Sequence, residues 1–277
     1  FGLDMGGYYM TASMTNDPSV IMLGGVILST VLGATIVFTI PVALTLCRPE
    51  DASAVSKGIV FGIISIPFGT IAAALASGLT LHYTLINAAP AFVLAALLAA
   101  GMIFFPQKTL IIFRAFGNLL QAFIILALAA AGVESTLGIT VIPGMDPLAE
   151  QLETIAMIGI TLAGAYPFVH VLSKLLAPVL NVIAKLMGVN GPSVTGMLAC
   201  LANPLPMYDM IPLMDERGKV LAMAFCTCAN AMIGDHFAFI SIAYPEGTTA
   251  TFIVKIVSGA VALLIAALST KKGGKTH

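Results

Sequence analysis

The chain has 277 residues, 59% of them hydrophobic and 9% charged, with a mean hydropathy of +1.03, whereas roughly 25% of the residues in an average soluble domain are charged. That balance excludes a soluble globular domain and identifies an integral membrane protein. The net charge is −1 and no basic patch suits nucleic acid. Three of the four cysteines, Cys200, Cys226 and Cys228, lie inside apolar segments where packing is a better account of them than disulfide or metal chemistry.

In chain order, Asp4-Met5-Gly6-Gly7 is a short polar and glycine-rich stretch ahead of the first long apolar run. Runs close to or above the roughly 20 residues needed by a spanning helix occupy Val20–Leu46, Gly58–Leu81, Ala88–Phe105, Thr109–Gly132, Thr154–Leu172, Val220–Tyr244 and Thr251–Leu268. Period-two alternation is absent, which argues against a lipid-facing barrel and for an all-α polytopic membrane protein. The chain opens at Phe1 with no Met and no signal sequence, and is expected to be a fragment lacking its N-terminal spans.

Basic residues in short loops orient such a chain. Arg48 and Lys57 bracket the loop after the first run, and Lys108 and Arg114 follow the third. The stretches His82–Asn87 and Val133–Glu153 carry no Lys or Arg. The loops therefore alternate inside and outside, with Lys174 and Lys185 inside and Asp215-Glu216-Arg217-Gly218-Lys219 inside again. Between those two inner loops the chain is interrupted by Pro178, by Gly188 to Pro192, and by Asn203-Pro204-Leu205-Pro206. A short inner helix followed by a re-entrant or broken element is predicted there, since irregular backbone at membrane depth survives only when it is buried in protein or lines a watery cavity.

The two ends of the chain resemble each other at a shift of about 200 residues, the kind of spacing internal transporter repeats show. Asp4 falls against Asn203, and Gly33-Ala34-Thr35 against Gly234-Asp235-His236. Residues 1–46 and 192–244 are each read as a broken segment plus a span. By the loop assignment the spans run in opposite senses, so an inverted-repeat, transporter-like bundle is predicted, within one transmembrane transport domain covering residues 1–277. The alternative is chance similarity between two glycine- and alanine-rich segments.

The candidate chemistry gathers on Val220–Tyr244, read as one continuous span with Asp235 near its midplane. An acidic residue there costs several kcal/mol unless it has a partner or a task. Asp235 and His236 either touch a ligand or satisfy each other. Thr227, Asn230, Gly234 and Ser241 recur at helical spacing as a small polar stripe beside them. Asp4 and Asn203 either bind a small polar ligand or cap helix ends. Tyr8, Tyr9 and Tyr208 are read as an aromatic wall for an ammonium group or as interface tyrosines. Arg114, His170 and Lys255 are read as structural, Lys255 lying near the outer end of the last span. Gly58 and Gly62 form a close-packing pair. No phosphate loop, nucleophile arrangement or zinc helix motif is present, so no cofactor is expected.

Taken in order, Asp4-Met5-Gly6-Gly7, Gly33 to Leu44, Ile142 to Pro147, Gly164-Ala165-Tyr166-Pro167, Leu201-Ala202-Asn203, Met214 to Val220 and Gly234-Asp235-His236 resemble the ethanolamine permease family, EutH. Pro204 and Leu3 depart from it, standing where relatives carry Asn and often Cys. The resemblance implies a multi-pass protein of the bacterial inner membrane, with ethanolamine or a similar small amine and the lipid bilayer as partners and a second copy of the chain as a further candidate. A cation site is expected from Asp235 and Asp4, with Asn203 and Asn230 holding a hydroxyl and Tyr8 and His236 nearby. Competing readings are a sodium- or proton-coupled transporter of another solute, and a membrane-embedded enzyme using Asp235 and His236 as acid and base.

Overall fold

A computed structural model describes residues 4–145 and 177–270, with part of the segment between them. Every regular element in the described residues is helical. A one-turn helix at Asp4–Gly6 leads into α1 (Gly7–Met14), followed by α2 (Pro18–Leu46), α3 (Ala52–Ala76), α4 (Leu81–Phe104) and α5 (Pro106–Leu137). After the partly described segment come α6 (Ala177–Met187), α7 (Gly191–Cys200), α8 (Pro204–Met210), α9 (Glu216–Ala229), α10 (Asp235–Ala243) and α11 (Thr248–Ser269). By length and composition α2, α3, α4 and Pro245–Ser269 are long and apolar enough to cross a membrane. The predicted span Thr154–Leu172 is only partly described, and His170 lies outside the described residues.

Sequence explains four of the helix starts. Asp17 caps α2, with Pro18 at its first position and Asp17 Oδ1 accepting the Ser19 N–H at 2.8 Å. Thr80 caps α4, Asn190 caps α7 and Asn203 caps α8 in the same way. Inside α2 the residues Ile21–Gly33 and Thr35–Thr39 are wound with wide turns, a winding normally confined to single bulges near functional sites. Ser29 Oγ accordingly donates to the carbonyl of Gly24, five residues back, at 2.7 Å. No local sequence signal marks this winding.

The core is three mutually packed helices, α3, α9 and α11. A Cβ on Gly58 would stand 2.5 Å from that of Met223, and Cβ atoms on Gly62 and Gly69 would overlap Thr227 and Ser258. The expected Gly58 and Gly62 packing pair is therefore observed, as small residues allow helices without a hydrophobic driving force to approach closely.

Two predicted elements resolve differently. The interrupted stretch before Met214 is a hairpin that enters and leaves at one end: the Asn190 N–H donates to Asp215 Oδ1 at 3.0 Å and Asn190 Nδ2 to the Leu213 carbonyl at 2.8 Å. The interrupted element expected there is therefore a helical hairpin. The run Val220–Tyr244, in contrast, is not one span. It is α9 and α10 separated by a break at Asn230–Gly234, and the predicted polar stripe is divided by it, with Thr227 before the break and Ser241 after.

One end of the bundle gathers the charged loops. Lys219 Nζ lies 2.6 Å from Asp51 Oδ1 and 2.5 Å from Glu216 Oε1, so the loops predicted to share a side do so. Burial works against the Lys219 ammonium, but hydrogen bonds to Asp51 and Glu216 outweigh it and hold the group protonated above its ordinary range. Beside it, Arg217 closes the C-terminal end of α11. Its guanidinium donates to the carbonyl of Thr270, to Thr270 Oγ1 at 2.9 Å and to the Ala267 carbonyl at 3.2 Å, while Nε reaches the Met187 carbonyl at 3.0 Å.

Candidate functional site

Two breaks in two helical elements meet. Where α7 ends, the carbonyls of Cys200 and Leu201 have no helical donor. Where α9 ends, the N–H groups of Ala231 and Ile233 have no helical acceptor. They satisfy each other, Ala231 to Cys200 at 2.7 Å and Ile233 to Leu201 at 2.9 Å. Gly234 permits this crossing, because a Cβ there would overlap the carbonyl of Ala202. Ala231 is held at φ 52, and among the described residues the only other non-glycine at positive φ is Asp4, at 55. Both sit at this site, as strained backbone often does.

Around the crossing stand the ionisable groups. His236, only 4% exposed, places Nε2 3.1 Å from Asp4 Oδ1. Asp235, in the first turn of α10, accepts the backbone N–H of His236 at 3.0 Å. The two neighbours thus do not satisfy each other through their side chains; the imidazole pairs across the molecule with Asp4, and among the described residues its Nδ1 has no hydrogen-bond partner.

Lys255 completes the cluster and corrects the reading of it as an outer anchor. About two turns into α11, it is fully buried, and its ammonium donates to the Asn230 carbonyl at 2.8 Å and to Asn230 Oδ1 at 3.3 Å. The carboxylates of Asp4 and Asp235 act on it electrostatically. Asn230 is in turn oriented by α2, since its Nδ2 donates to Thr39 Oγ1 at 3.0 Å. Thr35 adds a second link from α2, donating to the carbonyl of Thr227 at 3.1 Å.

Of the six residues proposed from sequence, Asp4, Asn230, Asp235 and His236 are brought together. Asn203 belongs to the α7–α8 break, and its side chain caps α8 by accepting the Leu205 N–H at 2.9 Å. Tyr8 stacks on Tyr244 at 5.2 Å between ring centroids and meets Tyr9 at 5.3 Å, while Tyr9 meets Phe239 edge-on at 5.6 Å. Tyr208 is not part of that group. It is buried on α8 with Cys200 and Cys226 around it, so the three-tyrosine wall is not assembled. Cys228 faces the other way, toward Gly62 and Ser65 on α3.

Sequence reasoning missed Lys255, Thr35 and Thr39. A signal for Lys255 was available: it is the one charge in Thr251–Leu268, and it shares a helical face with Thr251, Ser258, Gly259, Ala262 and Ala266, all buried. A cleft of about 610 Å³ between α3, α4 and the end of α11 lies at the charged end of the bundle, lined by Lys57, Phe61 and Met102 among others, and touches none of these groups.

Comparison with known proteins bears on the same chain length. The family model described as "Ethanolamine utilisation protein, EutH" matches residues 1–269. A probable ethanolamine permease EutH of Listeria monocytogenes is 34% identical over 95% of this chain and 70% of its own length. Those of Salmonella typhimurium and Escherichia coli are also 34% identical, over 97% and 99% of this chain and 72% and 73% of theirs. No solved structure matches the chain. The chain belongs to the EutH family of ethanolamine utilisation proteins.

Proposed function

We propose that this chain carries ethanolamine across the bacterial cytoplasmic membrane as a multi-pass permease, and that the substrate ammonium is held at the crossing of the two broken helices. The supporting observation is the charge inventory of a site otherwise built from backbone groups and hydroxyls. Two carboxylates, Asp4 and Asp235, act on the single ammonium of Lys255, so the site is one ammonium short. A small organic cation supplies it. Charge-assisted hydrogen bonds from its ammonium to Asp4 or Asp235 and a hydroxyl contact at Asn230 suit ethanolamine, with Asn203 marking the second break and Tyr8 the approach along α1.

The same geometry supports the inverted-repeat reading of residues 1–46 and 192–244. Each contains a short helix (α1 after the one-turn helix at Asp4, α8 after the break at Asn203), a turn, and a longer helix returning. The turn after α8 lies at the Lys219 end, whereas the start of α2 lies beside Tyr83 and Asn87 at the opposite end. Sites between such oppositely directed units are the usual arrangement in secondary transporters.

The test is uptake of labelled ethanolamine into proteoliposomes across a pH series. Entry is expected to follow the protonated amine and to saturate, with Asp4→Asn raising the half-saturating concentration roughly 10- to 100-fold, the worth of a charged hydrogen bond. Entry that tracks only the neutral amine, or an Asp4→Asn protein indistinguishable from wild type, overturns the cation site. Competition by choline and amino acids separates ethanolamine from other small solutes.

A further inference from the structure

The environment of Lys255 is not that of a side chain in a salt bridge with one carboxylate. Its nearest contact is a main-chain carbonyl, that of Asn230, released by the break at the C-terminal end of α9. That end of a helix carries the negative pole of its dipole. The second contact is an amide oxygen, Asn230 Oδ1, and this amide cannot turn away, because its nitrogen is committed to Thr39 Oγ1. The carboxylates of Asp4 and Asp235 act on the same ammonium electrostatically, without touching it. A helix-end carbonyl and an oriented amide oxygen, with two carboxylates acting on the same charge, are hard oxygen donors of the kind that take alkali cations. In discontinuous transporter helices, unwound carbonyls and half-helix ends do that task.

We infer that the break at Asn230 is a monovalent-cation site whose occupant is the protein's own Lys255 ammonium. The tethered cation holds the unwound end of α9 in the way a coupling sodium ion would, and one site does not admit both charges. Transport therefore needs no sodium at this position. The inference rests on the transport reading above for its uptake arm, but its stability arm needs no substrate, so the two fail separately.

The experiment uses the purified full chain in detergent, with wild type, Lys255→Ala and Lys255→Gln melted in sodium chloride, methylammonium chloride and N-methylglucamine chloride at one ionic strength. The wild-type Tm is expected to be the same in all three. Lys255→Ala is expected to melt roughly 5–15 °C lower in N-methylglucamine, the effect of breaking a buried ionic contact, and to recover saturably with sodium or methylammonium, which fit the vacated space. Lys255→Gln, which fills that space without charge, is expected to melt lower and not to respond. An unchanged Tm for Lys255→Ala, a loss that no small cation restores, or a saturable sodium effect on wild type overturns the inference. Should neither variant fold, wild-type vesicles decide: ethanolamine uptake unaltered by replacing sodium with N-methylglucamine is the expected result, and uptake that depends saturably on sodium overturns it.

Discussion

Gly234 shows how a single hydrogen in place of a methyl group decides a site. Its backbone passes so close to Ala202 that any side chain collides with the carbonyl, and a main-chain carbonyl in a hydrogen-bonded crossing cannot move aside. Gly24, on α2, has open space where its Cβ would stand. Gly234→Ala is therefore expected to destabilise by about 1–3 kcal/mol through overpacking, and Gly24→Ala to be neutral or slightly stabilising, since alanine suits a helix better by about 1 kcal/mol. Thermal melts of the two variants in the same detergent provide the check. Equal Tm values would show that the two breaks are not in contact. The residue-scale chemistry was only partly legible in sequence: His236 stood out as an ionisable group in an apolar run and Asp4 as the counterpart of Asn203, but nothing in either segment says that Asp4 and His236 face each other.

At the scale of elements, the two breaks differ in how they are written. The α7–α8 break announces itself with Asn203, Pro204 and Pro206, which cap one helix and forbid another from continuing. The α9–α10 break contains no proline. Its stretch Asn230-Ala231-Met232-Ile233-Gly234 reads as apolar helix, and what holds it open is a pair of carbonyls about thirty residues earlier in the chain. Averaged hydropathy cannot see such a partner, which is why one span was expected where there are two half-helices. The end of the bundle is set by charge instead. Lys219 is 10% exposed and Asp51 2%, so Asp51→Asn is expected to cost about 1–3 kcal/mol, between a surface pair and a fully buried one. The linkage has a definite sign. The folded protein holds the Lys219 proton more tightly than the unfolded chain, so this contribution is complete below the unfolded value near about 10.4 and is lost as pH rises through the higher folded value. A melt series from pH 7 upward should show wild type and Asp51→Asn converging only in that alkaline range.

For the whole molecule, the loop assignment makes a sided prediction. Glu50 and Glu216 lie at the Lys219 end, and His82 and Glu246 at the other. Cysteines placed at Glu50 and Glu216 are expected to react with a membrane-impermeant maleimide only after intact cells are opened, while cysteines at His82 and Glu246 react from outside. Labelling of all four from one side would reverse or abolish the orientation. The crossed breaks also constrain how the protein can open to each side in turn. Separating α7–α8 from α9–α10 would leave the N–H groups of Ala231 and Ile233 and the carbonyls of Cys200 and Leu201 unpaired in a dry interior, at about 1–3 kcal/mol for each stranded group. With α3 locked by its glycines against α9 and α11, these elements travel as one solid piece. On the transport reading proposed above, alternating exposure would come from sliding other helices past this piece, which keeps the half-helix ends in register.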